Sequence, residues 1–454
     1  MNIVILGTGY VGLTTGVCLA YLGHEVTCLD LDENKINLLR KGIIPIHEPG
    51  VSELLALARH NIQFTTEPAE GLPNAEIIFI AVGTPSLSDG NPDLQYVRAA
   101  GVTVGKHIGE RFTVLVNKST VPIGCAHWVE TVVRDSYEES HSSPAKDNFA
   151  VASNPEFLRE GSAIHDTLYP DRVVLGSDDQ RALDLLHALY RPIVEQSFPA
   201  PNFLPRPEGL SAVPAVTANL TSSEMTKYAA NAFLAMKISF ANELAQLSER
   251  VGADISQVVR GMGLDSRIGH RFLQAGLGWG GSCFGKDTAA LVTTAREYGI
   301  PMRLVQSARD VNNAQREWVI EKLLRELKIL KGKTIGLLGL AFKPNTDDLR
   351  DAPALDIGAR LIERGAKVRA HDPVALDRAR REHGQSAIQF CDAAEQVAAD
   401  AHALILVTEW PQYQSLCWEN LASTMRVRLI VDGRNCLDRE KIEQAGFRYL
   451  GMGK

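Results

Sequence analysis

The feature that most constrains the fold of this chain is a glycine-rich turn close to its start. Residues 2–6 form a short apolar run, and Gly7, Gly9 and Gly12 follow it in the pattern G-x-G-x-x-G. The next segment, residues 13–22, has the composition of a helix. Glycines at these positions permit a tight turn and a close approach of the backbone, so that a pyrophosphate can bind at the helix N-terminus. The start of the chain therefore predicts a dinucleotide-binding unit.

An acidic residue at the end of the second predicted strand indicates which dinucleotide binds. Residues 25–30 form a second β-type run, and Asp30 closes it. A carboxylate at this position accepts hydrogen bonds from a ribose hydroxyl and repels a 2′-phosphate, so it favours NAD over NADP. Lys35 lies near the same edge of the cofactor by spacing, where it either contacts the cofactor or is solvated.

Further apolar runs alternate with helical stretches in the first part of the chain. These runs are residues 76–82, 112–117, 149–153 and 172–176. Strands that alternate with helices build a parallel sheet covered on both faces. We therefore predict an α/β, doubly wound fold for this part.

The sequence changes character after this pattern. Five prolines between residues 198 and 214 predict a wrapped loop or a linker. Residues 220–251 lack proline and carry apolar residues at helical spacing, which predicts one long helix, and helical sequence resumes over 288–330. A second α/β pattern, with a glycine turn after its first strand, begins at Lys333.

These patterns predict two Rossmann-like doubly wound domains joined by a long central helix. The length of 454 residues suits two or three domains. The predicted divisions are an NAD-binding domain over 1–200, a Pro-rich loop with a central helical region over 201–325, and a C-terminal Rossmann-like domain over 326–454.

Composition excludes several classes of function. The 47 basic and 54 acidic residues give a formal net charge of −7, which argues against a nucleic-acid partner. The seven cysteines are odd in number and lack a C-x-x-C pair, so they predict neither a disulfide framework nor a metal site. The start of the chain does not predict a signal peptide, and an apolar run of about 18 residues does not occur in the sequence. We therefore expect a cytoplasmic protein without a membrane partner.

The strongest chemical signal is a glycine-rich segment, residues 278–287, that surrounds one cysteine, Cys283. The helical sequence that follows places Cys283 near a helix N-terminus with Lys286 close by, and both features favour the thiolate. Asp287 lies four residues after the cysteine, where a carboxylate is placed to hold a water or to orient a partner. We predict that Cys283 is a nucleophile and that the other six cysteines are structural.

Other polar groups occur where an α/β protein binds its ligands. Glu156 and Glu160 follow one predicted strand and Thr120 follows another, and ligands bind at the carboxyl ends of such strands. Lys227 and Asn231 share one face of the long helix and suit an oxyanion. The alternative for Lys227 is a lysine that reaches solvent.

Isolated cations accompany the strand ends and glycine turns of the C-terminal pattern. Lys343, Arg350 and Arg434 are the main examples. Such cations either pair with the phosphates of a second nucleotide or lie on a solvated surface.

An NAD site combined with an activated cysteine predicts a specific reaction. NAD takes an alcohol to an aldehyde, and a thiolate traps the aldehyde as a thiohemiacetal. Loss of a second hydride gives a thioester, which water releases as an acid. The sequence thus suggests oxidation of an alcohol to a carboxylate with two NAD consumed.

Taken together, the motifs resemble the nucleotide-sugar 6-dehydrogenases, in order and over almost the whole chain. They are G-x-G-Y-V-G at 7–12, V-G-T-P at 82–85, S-T-V-P-x-G at 119–124, N-P-E-F-L-R-E-G at 154–161, E-M-T-K-Y-A-A-N at 224–231, G-G-S-C-F-x-K-D at 280–287, F-K at 342–343 and D-G-R-N at 432–435. The resemblance implies oxidation of UDP-glucose to UDP-glucuronate, a homodimer formed through the central helix, and a C-terminal domain that binds the UDP-sugar.

The resemblance also implies roles for individual residues. Cys283 resembles the nucleophile, Asp287 and Thr120 the pair that positions water, Glu160 the acid–base carboxylate, and Lys227 and Asn231 the groups that stabilise an alkoxide and an oxyanion. The implied NAD contacts are Gly7, Gly9, Val11, Gly12, Asp30, Lys35, Thr84, Thr120, Glu160, Lys286 and Arg350. The implied substrate contacts are Glu156, Phe157, Leu158, Arg159, Glu160, Lys227, Asn231, Phe272, Leu273, Gln274, Ala275, Gly276, Gly280, Lys343, Arg434 and, crossing from a partner subunit, Arg267.

Two departures and three alternatives accompany this interpretation. Gly285 stands where the family usually has proline, which loosens the φ restriction of the cysteine loop, and segment 198–214 is longer than in compact members. The first alternative is the same chemistry on GDP-mannose or on an N-acetylated UDP-sugar. The second is a two-electron hydroxyacid dehydrogenase, which needs no thiol. The third is an NAD-binding protein without catalysis.

Overall fold

The computed structural model describes residues 1–85, 87, 90, 92–145 and 147–454. The chain divides into two compact units, Met1–Ala229 and Ala230–Lys454. Each unit contains a largely parallel sheet with helices, so the predicted α/β class is confirmed. Among the described residues, no helix combines the length and the apolar character needed to cross a membrane.

The first unit contains an eight-stranded sheet in the order β3-β2-β1-β4-β5-β6-β7-β8. Its strands are β1 (Asn2–Leu6), β2 (Glu25–Leu29), β3 (Ile62–Thr65), β4 (Ile77–Ile80), β5 (Thr113–Asn117), β6 (Phe149–Ser153), β7 (Val173–Gly176) and β8 (Ala215–Ala218). Strands β1 to β6 pair in parallel. The sheet is not wholly parallel, because β7 pairs antiparallel with β6 through Ser153 and Gly176.

Helices cover both faces of this sheet. They are α1 (Tyr10–Tyr21), α2 (Glu33–Arg40), α3 (Val51–Ala58), α4 (Gln95–His107), α5 (Cys125–His141), α6 (Ala163–Leu168) and α7 (Gln180–Val194), with short 3-10 turns at Arg59–Asn61, Pro68–Glu70 and Leu72–Asn74. Side chains alternate along a strand. Ile3 and Ile5 therefore join the core formed with α1, α3, α6 and α7, whereas Val4 and Leu6 join the core formed with α4 and α5.

The predicted long helix is present with the predicted bounds, as α8 (Leu220–Val251). The Pro-rich segment 198–214 contains neither helix nor strand. Of the two predicted alternatives, a wrapped loop and a linker, it is the wrapped loop, because it packs against the rest of the first unit. The hydroxyl of Tyr21 donates to the carbonyl of Pro199 at 2.8 Å, and that of Tyr169 donates to the carbonyl of Leu204 at 3.0 Å.

The second unit contains a six-stranded parallel sheet in the order β11-β10-β9-β12-β13-β14. Its strands are β9 (Thr334–Leu338), β10 (Lys367–His371), β11 (Ile388–Phe390), β12 (Ala403–Leu406), β13 (Leu429–Asp432) and β14 (Arg448–Gly451). Its helices after α8 are α9 (Ile255–Gly263), α10 (Phe284–Glu297), α11 (Arg303–Leu327), α12 (Pro353–Glu363), α13 (Leu376–His383), α14 (Ala394–Ala398), α15 (Pro411–Gln414), α16 (Trp418–Thr424) and α17 (Arg439–Gln444).

Two helix starts differ from the prediction. Helix α1 begins at Tyr10 rather than at residue 13, because the glycine turn ends with Gly9 as the residue that caps the helix. Helix α10 begins at Phe284, so the cysteine segment passes directly into a helix that was expected from Thr288.

Candidate active site

The glycine turn of the first unit has the geometry of a phosphate-binding turn. Gly7 has a φ of +96°, and a Cβ placed on Gly12 would lie 1.9 Å from the carbonyl oxygen of Gly7. Gly9 caps α1, and a Cβ there would meet no heavy atom within 4 Å in the part of the chain that the structure describes. The space in front of the N-terminus of α1 therefore fits the pyrophosphate of NAD. Val11 is half-buried in the first turn of α1.

Asp30 lies directly after β2 and is tied to the same turn. Its Oδ2 accepts hydrogen bonds from the backbone N–H of Thr8 at 2.8 Å and from the Thr8 hydroxyl at 2.7 Å. The Nζ of Lys35 lies 3.1 Å from the same oxygen. Burial opposes ionisation, but these donors together hold the pKa of Asp30 below its usual value. The anionic group expected at the ribose edge is therefore present, and Lys35 pairs with it.

The loops after β4 and β5 carry two predicted NAD contacts, Thr84 and Thr120, and are linked by a hydrogen bond between these residues. The hydroxyl of Thr84 donates to the carbonyl of Thr120 at 3.0 Å. Glu224, which the motif contained but to which no role was given, accepts the backbone N–H groups of Gly124 at 2.6 Å and Ala126 at 2.9 Å. Burial raises the pKa of Glu224 to about 7 in spite of these bonds. Glu224 thus fixes the end of the Thr120 loop and changes charge close to neutral pH.

The loop that carries Glu160 is fixed by a residue that the sequence did not single out. Glu48 is buried, and its two carboxylate oxygens accept the backbone N–H groups of Gly161 at 2.6 Å and Ala163 at 2.7 Å. Glu48 lies 113 residues from Gly161 in the chain, so local sequence carries no signal for this contact. Glu160 itself is half-buried in the loop that Glu48 holds.

Glu156 and Lys227 form a buried ion pair in the first unit. Their side chains are 7% and 4% exposed, and the Nζ of Lys227 donates to Oε1 of Glu156 at 2.8 Å. The other carboxylate oxygen accepts the backbone N–H of Leu158 at 2.7 Å. Burial opposes ionisation, yet Lys227 and this N–H hold the pKa of Glu156 below its usual value. The alternative in which Lys227 reaches solvent is wrong, because the lysine is buried.

A second buried lysine, which the sequence did not single out, lies in the same unit. The Nζ of Lys118 donates to Oδ1 of Asn154 at 2.8 Å and to the hydroxyl of Tyr190 at 3.4 Å. Burial lowers the pKa of Lys118 to about 8. In the sequence, Lys118 could have been noticed only from its position directly after the apolar strand β5.

In the second unit, Cys283 is the residue that caps the N-terminus of α10. It is half-buried, and its Sγ lies 3.6 Å from the Oγ of Ser282. The backbone N–H of Asp287 donates to the carbonyl of Cys283 at 2.8 Å, which closes the first turn. A cysteine at a helix N-terminus faces the positive end of the helix dipole, the environment that favours a thiolate.

Asp287 is fully buried between two groups predicted to belong to the site. Its Oδ2 accepts the side-chain N–H of Asn231 at 2.6 Å, and its Oδ1 lies 3.0 Å from the Nζ of Lys286. The structure thus brings Asn231, Lys286 and Asp287 together at the start of the cysteine helix.

Buried amide side chains hold the glycine-rich loop that leads to Cys283. The Oδ1 of Asn242 accepts the backbone N–H of Gly276 at 2.7 Å, and the side chain of Gln315 donates to the carbonyl of Gly276 at 2.7 Å. Asn312 accepts from the N–H of Trp279 at 2.7 Å and donates to its carbonyl at 3.0 Å. Helices α8 and α11 therefore set the path of the predicted substrate loop.

The predicted C-terminal cations lie around the same loop. Arg434 donates to the carbonyl of Phe342, the residue before Lys343, at 3.3 Å and to the carbonyl of Gly278 at 3.4 Å. The carbonyl of Arg350 accepts the N–H of Gly281 at 3.1 Å. Gly280 is tightly packed as well, since a Cβ there would lie 2.2 Å from a backbone oxygen.

The second sheet carries an acidic residue at the position equivalent to Asp30, but the carboxylate oxygens of this residue accept hydrogen bonds from its own unit. Asp372 follows β10 and is 1% exposed. Its Oδ2 accepts from the N–H groups of Leu340 at 2.7 Å and Ala341 at 3.0 Å and from Nε1 of Trp410 at 3.1 Å. Its other oxygen accepts two further backbone N–H groups. Asp372 therefore closes a turn of its own fold instead of offering an acceptor to a ribose.

Some predicted substrate contacts engage neighbouring groups. Arg159 donates to Asp166 through Nε at 2.9 Å and Nη2 at 2.6 Å. Arg267 is 87% exposed and lies 2.6 Å from Asp265. Gln274 is exposed. Their roles in substrate binding stay predictions, as do those of the remaining predicted contacts Phe157, Phe272, Leu273 and Ala275.

Comparison with known proteins identifies one family over the whole chain. Three family models match, namely those of the UDP-glucose/GDP-mannose dehydrogenase family for its NAD binding domain (residues 1–194), central domain (221–314) and UDP binding domain (336–439). UDP-glucose 6-dehydrogenase TuaD of Bacillus subtilis is 42% identical over 455 residues, which covers 100% of this chain and 93% of that protein. The UDP-glucose 6-dehydrogenase of Rhizobium meliloti is 43% identical over 463 residues and is covered completely, as is this chain. A solved UDP-glucose dehydrogenase from the hyperthermophilic archaeon Pyrobaculum islandicum has a TM-score of 0.87 and 37% identity, covering 99% of this chain and 97% of its own.

Proposed function

The chain belongs to the UDP-glucose/GDP-mannose dehydrogenase family, and from this premise we propose that it oxidises UDP-glucose to UDP-glucuronate through a covalent intermediate on Cys283. Family membership makes it an NAD-dependent oxidoreductase. The observation that carries the proposal is the position of Cys283 at the N-terminus of α10, one turn before the buried carboxylate of Asp287.

The proposed chemistry balances over four steps. The primary alcohol at C6 loses a proton and a hydride to give an aldehyde, and the Cys283 thiolate adds to that carbonyl to form a C–S bond. The thiohemiacetal loses a second proton and hydride to give a thioester. Water then adds, the C–S bond breaks and the thiolate leaves, which yields the acid. NAD, when bound, supplies the hydride acceptor in both oxidations, so two NAD are reduced for each sugar.

The chain's own residues are proposed to manage protons and charge. Lys227 and Asn231 each present an N–H donor on α8, and such donors stabilise an alkoxide or oxyanion. Asp287 and Thr120 are proposed to orient the water that attacks the thioester, with Glu160 as the acid–base carboxylate. The buried pair of Lys227 with Glu156 supports this role, because the pair keeps an ammonium group desolvated and fixed.

UDP-glucose is proposed as the substrate because relatives that are 42% and 43% identical over the full length of this chain carry that activity in their names. Arg434, which contacts the loop at Gly278, and Lys343, which follows Phe342, are the cations proposed to meet the diphosphate. The predicted division at 1–200, 201–325 and 326–454 is retained as a proposal, with the last part as the UDP-sugar domain.

A homodimer formed through α8 is also proposed. Five large apolar side chains on this helix are at least half-exposed in the single chain: Met225, Phe233, Phe240, Leu247 and Val251. Intervals of eight, seven, seven and four residues place them in one stripe along the helix, which a second copy of the helix would bury. A cytoplasmic location stays a prediction.

The test is the ratio of NADH formed to UDP-glucose consumed by the purified protein. We expect a ratio of two, abolished turnover in Cys283→Ser, and normal turnover in the matched control Cys417→Ser, since Cys417 is exposed and is assigned no role. A ratio of one, or full turnover in Cys283→Ser, would contradict the thioester route. Turnover of GDP-mannose in place of UDP-glucose would overturn the substrate assignment.

A further inference from the structure

Helix α11 contacts the first turn of the cysteine helix through one guanidinium group. The Nη1 of Arg309 donates to the carbonyl of Gly285 at 2.8 Å and to the hydroxyl of Thr288 at 2.7 Å. Thr288 is fully buried, and its hydroxyl donates in turn to the carbonyl of Phe284 at 2.6 Å. Arg309 is therefore connected, directly or through Thr288, to the two residues that follow Cys283.

The first turn of α10 needs such a contact more than most helix starts do. Cys283 caps the helix, so its orientation follows the backbone of the next two residues. One of these is Gly285, which restricts φ less than any other residue and costs more conformational entropy to order. A proline at this position would restrict φ by its ring.

Helix α11 is itself held rigidly on both sides of Arg309. The Oγ of Ser239 donates to the carbonyl of Ala308 at 2.7 Å, and Asn312 makes two hydrogen bonds with the backbone of Trp279. Ser239 and Asn312 are both buried. The guanidinium thus projects from a fixed point.

We propose that Arg309 is a positioning residue, which holds the Cys283 turn in place and supplies the restraint that Gly285 lacks. This inference rests on the proposed role of Cys283 as the nucleophile. Without Arg309, the turn samples more conformations and the thiol spends less time at the helix N-terminus. The thiolate fraction at neutral pH then falls, because that environment is what stabilises the thiolate.

The first experiment compares Arg309→Ala with wild type in the rate at which iodoacetamide alkylates Cys283. The rate is read from the Cys283 peptide by mass spectrometry, with the exposed Cys417 as the internal reference. We expect the Cys283 rate at pH 7 to fall on the order of tenfold and its pH midpoint to rise. We also expect kcat to fall by on the order of tenfold while the KM for UDP-glucose changes less than about twofold. Arg325→Ala is the matched control, since Arg325 is an exposed arginine on the same helix.

The second experiment tests rescue at Gly285. Proline is accepted in the first turn of a helix. A Cβ at Gly285 would lie 3.3 Å from the Oδ2 of Asp351, a side chain that is 40% exposed, and 4.0 Å from the ring of Trp279. In the Arg309→Ala background, Gly285→Pro is expected to restore most of the alkylation rate and kcat, whereas Gly285→Ala restores little. Arg309→Lys, which keeps a cation on a shorter side chain, is expected to lie between wild type and Arg309→Ala. This variant takes the place of Arg309→Ala if the alanine variant does not fold.

Two outcomes would overturn the inference. One is a folded Arg309→Ala protein with a Cys283 alkylation rate and kcat within about twofold of wild type. The other is equal rescue by Gly285→Ala and Gly285→Pro. Failure of the proposed function would give a different result from failure of this inference. In that case Cys283→Ser would keep turnover, while the alkylation rate of Cys283 would still depend on Arg309.

Discussion

Asn231 and Asp287 link helix α8 to the first turn of α10 by a hydrogen bond of 2.6 Å between two buried side chains. The other carboxylate oxygen of Asp287 lies 3.0 Å from the Nζ of Lys286. Both oxygens are thus oriented by specific neighbours, so the direction of the carboxylate depends on Asn231. The orientation of a water bound by Asp287 near Cys283, as proposed above, would therefore also depend on Asn231.

The variant Asn231→Asp is expected to lower kcat at least about a hundredfold, because a carboxylate would replace the donor that faces Asp287 and two like charges would meet in a buried site. Steady-state kinetics with UDP-glucose and NAD measure this effect. Ser222→Ala, at an exposed position of the same helix, is the control and should keep its kcat. A loss of less than about tenfold in Asn231→Asp would show that Asp287 does not depend on its partner.

Replacement of Glu156 by leucine is expected to lower the free energy of unfolding by about 3–5 kcal/mol at neutral pH, since buried Lys227 then lacks its carboxylate partner. The double variant Glu156→Leu with Lys227→Met should regain much of this loss while remaining inactive. Urea unfolding measures both. The exposed pair of Arg426 with Asp400 offers the contrast, because Arg426→Ala there should cost about 1 kcal/mol or less. Similar losses for the two pairs would contradict the buried character assigned to the first.

The stability of the protein should depend on pH through Lys118. Burial lowers the pKa of this lysine from 10.5 to about 8, whereas the unfolded chain keeps the proton up to the ordinary value. Between these two values the unfolded state binds more protons, so the contribution of Lys118 to stability rises with pH, by about 3 kcal/mol over the window. Wild type should therefore gain stability relative to Lys118→Met between pH 8 and 10.5 in urea unfolding. Parallel curves for the two proteins would show that the folded-state pKa of Lys118 is not lowered.

Two glycines of the NAD turn should respond in opposite ways to alanine. Gly9→Ala is expected to leave Tm nearly unchanged and to raise the KM for NAD at least about tenfold, because its methyl enters the space in front of α1 and not the protein itself. Gly12→Ala is expected to destabilise the fold by about 3 kcal/mol or more, because its Cβ would lie 1.9 Å from the carbonyl of Gly7. Calorimetry and NAD titration separate the two effects. An unchanged KM in Gly9→Ala would place the pyrophosphate elsewhere.

Sequence reasoning succeeded where a pattern is local and repeated. The bounds of α8, at residues 220 and 251, follow from helical spacing without proline, and β1 with its glycine turn follows from a short apolar run. Strand β8 was not predicted, because its four residues are mostly exposed and show no alternation. Strand β3 was missed as well, because its sequence I-Q-F-T contains only two strongly apolar residues.

For the site, the sequence predicted side chains near strand ends but not the groups that hold them. Glu48 and Gly161 are separated by 113 residues, and the contact between them depends on the folded sheet. Arg309 and Gly285 are 24 residues apart on different helices. Such contacts leave no periodic trace in the sequence, so three-dimensional packing is needed to find them.

Because the carboxylate of Asp372 accepts five N–H groups of its own unit, Asp372 and Asp30 differ in how freely they can change during evolution. Asp30 lies at the proposed ribose edge of the NAD site, so selection for another cofactor would be expected to act on this side chain. Replacing Asp372 would remove the acceptor of five N–H donors at once within a packed core. Asp30 can therefore change under selection for a different ligand, whereas a change of Asp372 would destabilise the fold.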